Sequence, residues 1–221
     1  MKLSVIIPVY NEAKRLPAAL AICRRHPDWE IIFVDDGSTD ATAKMIKKAG
    51  FKLITYPRNQ GKGYALKQGV AAAAGPLILI TDVDFSTPIT ELPKLLCVKA
   101  DIVIGSRKTA GAKITRHQPR LREFLGKQFT NLTNFWLGTK VSDVTCGFKL
   151  FKAPIAKKLF ALSKIKRWGY DAEIIYLAKK LNYQITEVPV TWQNDARTKV
   201  ALFPDVFRSL LDLLLIRLYH G

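Results

Sequence analysis

Acidic residues are scarce in this chain. Against 35 Lys and Arg stand 18 Asp and Glu, a formal net charge of +17 over 221 residues. A solvated surface needs no such imbalance, so the excess points to an anionic partner: nucleic acid, anionic lipid or a phosphorylated substrate. Cysteine is scarce too. Cys23, Cys97 and Cys146 are odd in number and widely spaced. They form no zinc pattern and read most simply as thiols of a reduced compartment. No apolar stretch approaches the ~20 residues that span a bilayer, and the longest candidate, residues 210–218, is broken by Asp212 and Arg217. The apolar run before Pro8 is short and flows into a strand pattern, unlike a signal peptide. There is no internal repeat and no low-complexity tract. With 48% hydrophobic and 24% charged residues, the composition is that of a globular protein, and the length suits one full-sized domain.

What is present alternates. Residues 3–9, 30–34, 51–56, 77–81 and 101–104 read as buried strands. Residues 12–25, 39–49, 62–74 and 89–96 carry helical spacing between them. Such alternation predicts an α/β fold with a mostly parallel sheet covered by helices. The second half is less regular. Residues 108–122 are polar and basic and read as a mobile loop. Residues 121–137, 153–162 and 171–181 read as helices, 185–190 as a strand, and 203–219 as an amphipathic helix. No linker separates domains.

In open α/β sheets, ligands lie outside the carboxyl ends of the strands. Three polar clusters fall there: residues 8–12, Asp35-Asp36-Gly37-Ser38 and Asp82-Val83-Asp84. Asp82 and Asp84, two apart in an extended segment, leave the chain on the same side. That suits a hard divalent cation, which also takes diphosphate oxygens. A pair of solvated loop acids is the plainer reading of an isolated Asp-x-Asp. A buried strand before it, and acids ending the second strand, favour the metal. Asp36 is a candidate acceptor for a base N–H, or else a helix cap. Lys62, in Asn59-Gln60-Gly61-Lys62-Gly63, opens a helix where backbone N–H groups and an ammonium hold phosphate. This loop is neither a Walker loop nor a dinucleotide fingerprint, and the first strand lacks a glycine turn, which argues against NAD.

At these residues the chain resembles family 2 glycosyltransferases of the GT-A, Rossmann-like fold. The likeness rests on residues 5–12, residues 34–40 and Asp82-Val83-Asp84. Gly105-Ser106-Arg107, residues 143–151, residues 167–173 and residues 187–192 followed by Lys199 are similar to polyprenyl-phosphate glycosyltransferases. Within these, the dolichyl-phosphate glucosyltransferases are nearest, with the dolichyl-phosphate mannose synthases next. The resemblance implies inverting transfer of a hexose from a nucleotide sugar to a polyprenyl phosphate. UDP-glucose is the first choice and GDP-mannose the second, with Mg2+ or Mn2+ as cofactor. It implies that Pro8, Tyr10, Glu12 and Asp36 hold the nucleoside, and that Asp82, Val83 and Asp84 hold diphosphate and metal, with Ser86 near a third metal-facing position. It implies that Arg107, one of Arg116, Arg120 and Arg122, and Lys199 hold the acceptor phosphate, with Asp84, Arg107 and Lys199 as the catalytic set. Arg197-Thr198 departs from the family's small residues before that lysine. The chain is then one GT-A domain, residues 1–107 binding nucleotide sugar and metal and residues 108–221 binding the acceptor. It is expected on the cytoplasmic face of a membrane as a peripheral protein.

The acceptor side fits that chemistry. A phosphate monoester is ionised near neutrality, its second pKa being ~6, and as nucleophile it needs cations more than a base. Lys108, Lys113, Arg116, Arg120, Arg122, Arg197 and Lys199 supply them. Residues 121–136 and 203–219, apolar faces with basic flanks, suit an anionic membrane surface, or else core packing or a dimer interface. Glu173 is a candidate to order acceptor-loop residues, and Trp168 and Trp192 are core or substrate-stacking. Two other readings stay open. One is transfer to a saccharide or protein hydroxyl, with a base such as Asp143. The other is a basic nucleic-acid-binding module, which leaves the acidic cluster unexplained; no nucleic acid is expected as partner.

Overall fold

The β-branched run near the N-terminus becomes the middle of a seven-stranded sheet. The computed structural model describes residues 3–195, 197 and 202–221, with only the backbone of Leu202 and Phe203. β1 (Leu3–Val9) is buried but for Pro8, and pairs in parallel with β2 (Glu30–Asp35) on one side and β4 (Leu77–Ile80) on the other. β3 (Lys52–Thr55) extends the sheet beyond β2. The chain therefore runs outward from β1 to β3, then crosses back through α3 (Lys62–Ala72) to reach β4. That reversal opens a crevice at the carboxyl ends of β1 and β4.

The remaining strands change direction. β7 (Lys149–Lys152) inserts between β4 and β5 (Ile102–Ser106) and runs antiparallel to both. β8 (Ile185–Pro189) closes the sheet parallel to β5. A mostly parallel sheet is borne out, and β7 is the antiparallel member that the alternation of strands and helices did not predict. Residues 108–122 are a second correction. They hold β6 (Lys113–Arg116), which pairs with β9 (Thr191–Gln193), and the first turn of α5 (Arg120–Leu137). Polarity suggested a loop because each of the two strands is short and both depend on a partner far along the chain.

Helices cover the sheet: α1 (Leu16–Cys23), α2 (Thr42–Lys48), α4 (Leu92–Leu96), α6 (Ala153–Leu162) and α7 (Tyr170–Lys180). α8 (Leu202–His220) packs on α5 and α7. Trp136 Nε1–H donates to the Leu213 carbonyl at 3.2 Å, and Arg217 donates to the Trp136 carbonyl at 2.8 and 3.1 Å. Glu173 does not reach the acceptor loop. Its buried carboxylate accepts the N–H groups of Lys164 and Ile165 at 2.8 and 2.9 Å and meets His220 Nε2 at 2.7 Å, so it ties the end of α8 to residues 164–165. Among the described residues no helix is long and apolar enough to cross a membrane. The outer surface of α5 and α8 nonetheless exposes Phe135 (83%), Leu218 (78%), Phe207 (64%) and Phe124 (56%).

The amino ends of the first four sheet strands in the chain are drawn together by one carboxylate. Glu30 accepts the Ser4 hydroxyl at 2.5 Å, the Ala74 N–H at 2.7 Å and the Lys52 ammonium at 2.9 Å. Burial pushes this carboxyl up, but the Ser4, Ala74 and Lys52 donors outweigh it and hold it at about 2. A folded-state value below the ordinary ~4.3 means the group stabilises the fold above that pH and loses its contribution as pH falls towards the folded value. Glu30→Gln is therefore expected to cost about 1–3 kcal/mol at neutral pH. It is also expected to flatten the acid limb of stability between the two values. Urea titrations of both proteins across acid pH read this, and an unchanged acid limb would contradict it.

Candidate active site

Both strands flanking the crevice end in strained turns. Asn11 (φ 50°) follows β1 and Phe85 (φ 47°) follows β4. Asn tolerates that region, whereas a bulky aromatic there is uncommon and marks a turn over-determined by its surroundings. The turn after β4 is closed by the Phe85 N–H on the Asp82 carbonyl at 3.1 Å. It leaves Asp82, Val83, Asp84 and Ser86 all lining a cleft of about 1100 Å³. The ends of β1 and β2 are laced together. Asn11 Oδ1 accepts the Thr39 N–H at 2.8 Å, Asn11 N–H donates to Ser38 Oγ at 2.8 Å, and Glu12 N–H donates to Thr42 Oγ1 at 2.7 Å.

Asp82 and Asp84 each face a cation. Lys62 Nζ lies 2.6 Å from Asp82 Oδ1, and Arg15 Nη1 lies 3.6 Å from Asp84 Oδ2. Gly61, at φ 106°, starts α3 so that Lys62 is its first residue. The other side of Asp82 is walled by Gly147, where a Cβ would stand 2.2 Å from Oδ2. Burial, and then the neighbouring Asp82 charge, push the Asp84 carboxyl up, while Ser86 and Arg15 act the other way. Ser86 N–H donates to Asp84 Oδ1 at 2.9 Å. A strained pair of carboxylates open to a cleft, with no third acidic, His or Cys ligand beside them among the described residues, fits Mg2+ or Mn2+. Such ions take one or two protein carboxylates and complete their shell with phosphate and water.

A cationic group lines the same cleft near Asp82. Arg107 closes β5 onto Asp143, with Nε and Nη2 each 2.7 Å from its oxygens and the backbone N–H at 3.0 Å. Nη2 also donates to Thr145 Oγ1 at 2.9 Å, and the guanidinium lies 5.3 Å from the Trp192 ring centre. Asp143 is fully buried, and its N–H donates to Glu187 at 2.9 Å. Burial raises the Asp143 carboxyl, but Arg107 outweighs that and holds it at about 2. Lys108 and Arg122 also line the cleft, and among the described residues neither has an acidic ion-pair partner. Burial lowers the pKa of both and Arg107 lowers it further, while for Lys108 the Asp143 and Glu187 carboxylates act the other way. Positive charges gathered in this way beside Arg107 form a site that attracts an anion.

The structure brings Pro8, Tyr10, Glu12, Asp36, Lys62, Asp82, Val83, Asp84, Ser86, Arg107 and Arg122 around one cleft. Arg116 and Arg120 are exposed and do not line it, so of the three only Arg122, in the first turn of α5, faces the cleft. Lys199 lies outside the described residues. Asp36 lines the cleft, and its carboxylate accepts Asn59 Nδ2 at 2.7 Å and the N–H groups of Gln60 and Gly61 at 2.7 and 2.9 Å. It orders the loop that presents Lys62. Asp143 cannot act as a base, because Arg107 covers it. Trp168 lines the cleft with its ring 5.6 Å from Lys62 Nζ, and Trp192 is buried beneath Arg107. Sequence reasoning missed Arg15. It meets Glu12 at 3.2 Å and Asp195 at 4.0 Å as well as Asp84, and donates to the Arg197 carbonyl. Its only signal was its place just after the polar end of β1.

Residues 4–160 match glycosyl transferase family 2. The chain is 35% identical to a dolichyl-phosphate beta-glucosyltransferase of Trichomonas vaginalis, over 97% of this chain and 70% of that one. It is 33% identical to a human dolichyl-phosphate beta-glucosyltransferase over 99% and 76%. The yeast enzyme of the same description is 30% identical over 99% and 75%. Among solved structures, glucosyl-3-phosphoglycerate synthase of Mycobacterium tuberculosis, crystallised with Mn2+, UDP and glucosyl-3-phosphoglycerate, superposes with a TM-score of 0.71. It is 20% identical, with 98% of this chain and 79% of that one covered. That likeness gives the fold. The chain belongs to glycosyl transferase family 2 and is a glycosyltransferase with the GT-A fold.

Breaking the Arg107–Asp143 pair tests its structural weight. Asp143→Asn removes the charge that compensates Arg107 and is expected to destabilise the protein by about 3–5 kcal/mol. Chemical denaturation reads the change. A loss below about 1 kcal/mol, the scale of an exposed pair, would contradict the assignment.

Proposed function

We propose that this glycosyltransferase moves glucose from UDP-glucose to a dolichyl-type polyprenyl phosphate at a membrane surface, with Mg2+ or Mn2+ held by Asp82 and Asp84. GDP-mannose is the second donor in order of preference. Residues 1–107 form the half that binds nucleotide sugar and metal, and residues 108–221 the half that binds the acceptor.

One observation carries the acceptor class: beside Arg107 the cleft offers cations, and the carboxylate packed against them is already held in a buried ion pair. Among the described residues Lys108 and Arg122 have no acidic ion-pair partner, while Asp143 is locked by Arg107 and ionised down to about 2. Asp195 is likewise held at about 2, chiefly by Arg197. A hydroxyl acceptor needs a group that takes its proton. A phosphate acceptor brings its own charge and needs only to be drawn in and held in line. A phosphate oxygen forms the new bond to the anomeric carbon from the face opposite the diphosphate. The bond from that carbon to the diphosphate oxygen breaks, its electron pair leaving with UDP, and no proton is transferred. Lys62 and Arg15 set charge beside the diphosphate, and Lys108 and Arg122 hold the incoming phosphate. Bound metal supplies positive charge to the departing diphosphate. The dolichyl-phosphate glucosyltransferases at 30–35% identity support glucose and a dolichyl phosphate, and the apolar outer faces of α5 and α8 suit a lipid acceptor held in a membrane.

A panel of nucleotide sugars, offered with Mg2+ or Mn2+ and a polyprenyl phosphate, tests this. Sugar is expected in the organic phase, with UDP-glucose the best donor. A water-soluble product would favour a hydroxyl acceptor. Asp84→Asn is expected to lose about 100-fold or more in turnover while melting near the parent temperature. Full activity with unchanged metal dependence in that variant would remove the mechanism.

A further inference from the structure

Lys62 does more in this structure than wait for a phosphate. Its ammonium lies 2.6 Å from Asp82 Oδ1, the side chain is only 15% exposed, and the Trp168 and Tyr170 ring centres lie 5.6 and 5.8 Å away. Gly147 packs close against the other oxygen of Asp82, where a Cβ would stand 2.2 Å from it. A cation approaching that carboxylate meets an ammonium already in contact with it, and like charges at such range repel strongly. The aspartate side chain is short and the four-carbon lysine stem is long and flexible, so exchange at this oxygen proceeds by movement of Lys62. Its destination is set by the fold. Lys62 is the first residue of α3, an eleven-residue helix whose amino end opens into the same cleft, and such ends attract phosphate groups. Arg15 repeats the arrangement on Asp84 at 3.6 Å.

We infer that Lys62 is a resident counter-cation of Asp82 that transfers to the nucleotide diphosphate, so that divalent metal binding at Asp82 and Asp84 is conditional on the nucleotide. This rests on the site being the metal–diphosphate site proposed above. The diphosphate draws Lys62 off Asp82 and thereby frees the oxygen that the metal takes. Metal and nucleotide then bind as a coupled pair, and each raises the affinity for the other by the same factor.

Mn2+ binding followed by electron paramagnetic resonance, with and without UDP and with no sugar or lipid present, tests this apart from turnover. The unaltered protein is expected to bind Mn2+ weakly alone and much more tightly with UDP. Lys62→Met is expected to bind Mn2+ alone about fivefold or more tighter than the unaltered protein, and to gain less from UDP. Lys62→Arg, which keeps the charge, is expected to behave as the parent. Tight Mn2+ binding by the unaltered protein without UDP overturns the inference independently of any variant. So does equal binding by parent and Lys62→Met without UDP, if UDP still tightens both, and the metal–diphosphate reading then stands. If UDP tightens Mn2+ binding in neither protein, that reading and the inference fall together.

Discussion

Two like charges at the end of one strand are the constraint around which the cleft is arranged. Asp82 and Asp84 project together from the strained turn at Phe85, and burial with the Asp82 charge makes ionisation of Asp84 costly. The chain answers with cations from two other segments, Lys62 from the start of α3 and Arg15 from the loop after β1. Neither could arrive there without the parallel pairing of β1 with β2 and β4, which brings the ends of those strands to one edge. Asp36 serves the same end indirectly. By accepting the N–H groups of Gln60 and Gly61 it fixes the loop from which Lys62 projects.

Around Arg107, in the same cleft, the balance reverses. The Arg107–Asp143 pair is buried and self-satisfied, and Glu187 braces it by accepting the N–H groups of Ser142 and Asp143. Arg107 keeps its charge all the same, and after burial it is a further cause that lowers the pKa of both Lys108 and Arg122. A cleft that sets an acidic pair beside a cluster of cations suits a reaction that joins two phosphorylated molecules, the acids for a metal with the departing diphosphate and the cations for the incoming phosphate. The net charge of +17 thus has a local as well as a global meaning. On the outer side, α5 and α8 are fastened to each other through Trp136 and Arg217, yet leave Phe124, Phe135, Phe207 and Leu218 exposed.

The first half of the chain was largely legible. Strands such as β1 and β2 are continuous β-branched runs, and Asp82-Val83-Asp84 follows one directly, so local pattern and spacing sufficed. What escaped depends on pairing at a distance. β7 is four residues, Lys149–Lys152, whose apolar centre says nothing of its antiparallel seat between β4 and β5. β6 hid in a polar stretch because β9, its partner, lies some seventy residues on. Among the site residues, sequence spacing identified which carboxylates face the cleft but not which are already engaged. Asp36 and Asp143 read as available acids, and only the folded chain brings Asn59 to one and Arg107 to the other. Arg15 escaped for the same reason, since three of its partners, Asp84, Asp195 and Arg197, are remote in sequence.

The central claim is that a phosphate oxygen displaces the nucleotide from the anomeric carbon, with cations and no base. The structure of the product tests it most directly. Nuclear magnetic resonance of the lipid-extracted product, made from an α-linked nucleotide sugar, reports both the bond formed and its stereochemistry. The account predicts an anomeric proton coupled to phosphorus, in the configuration opposite to that of the donor. An anomeric centre with no phosphorus coupling, or one that retains the donor's configuration, would contradict it.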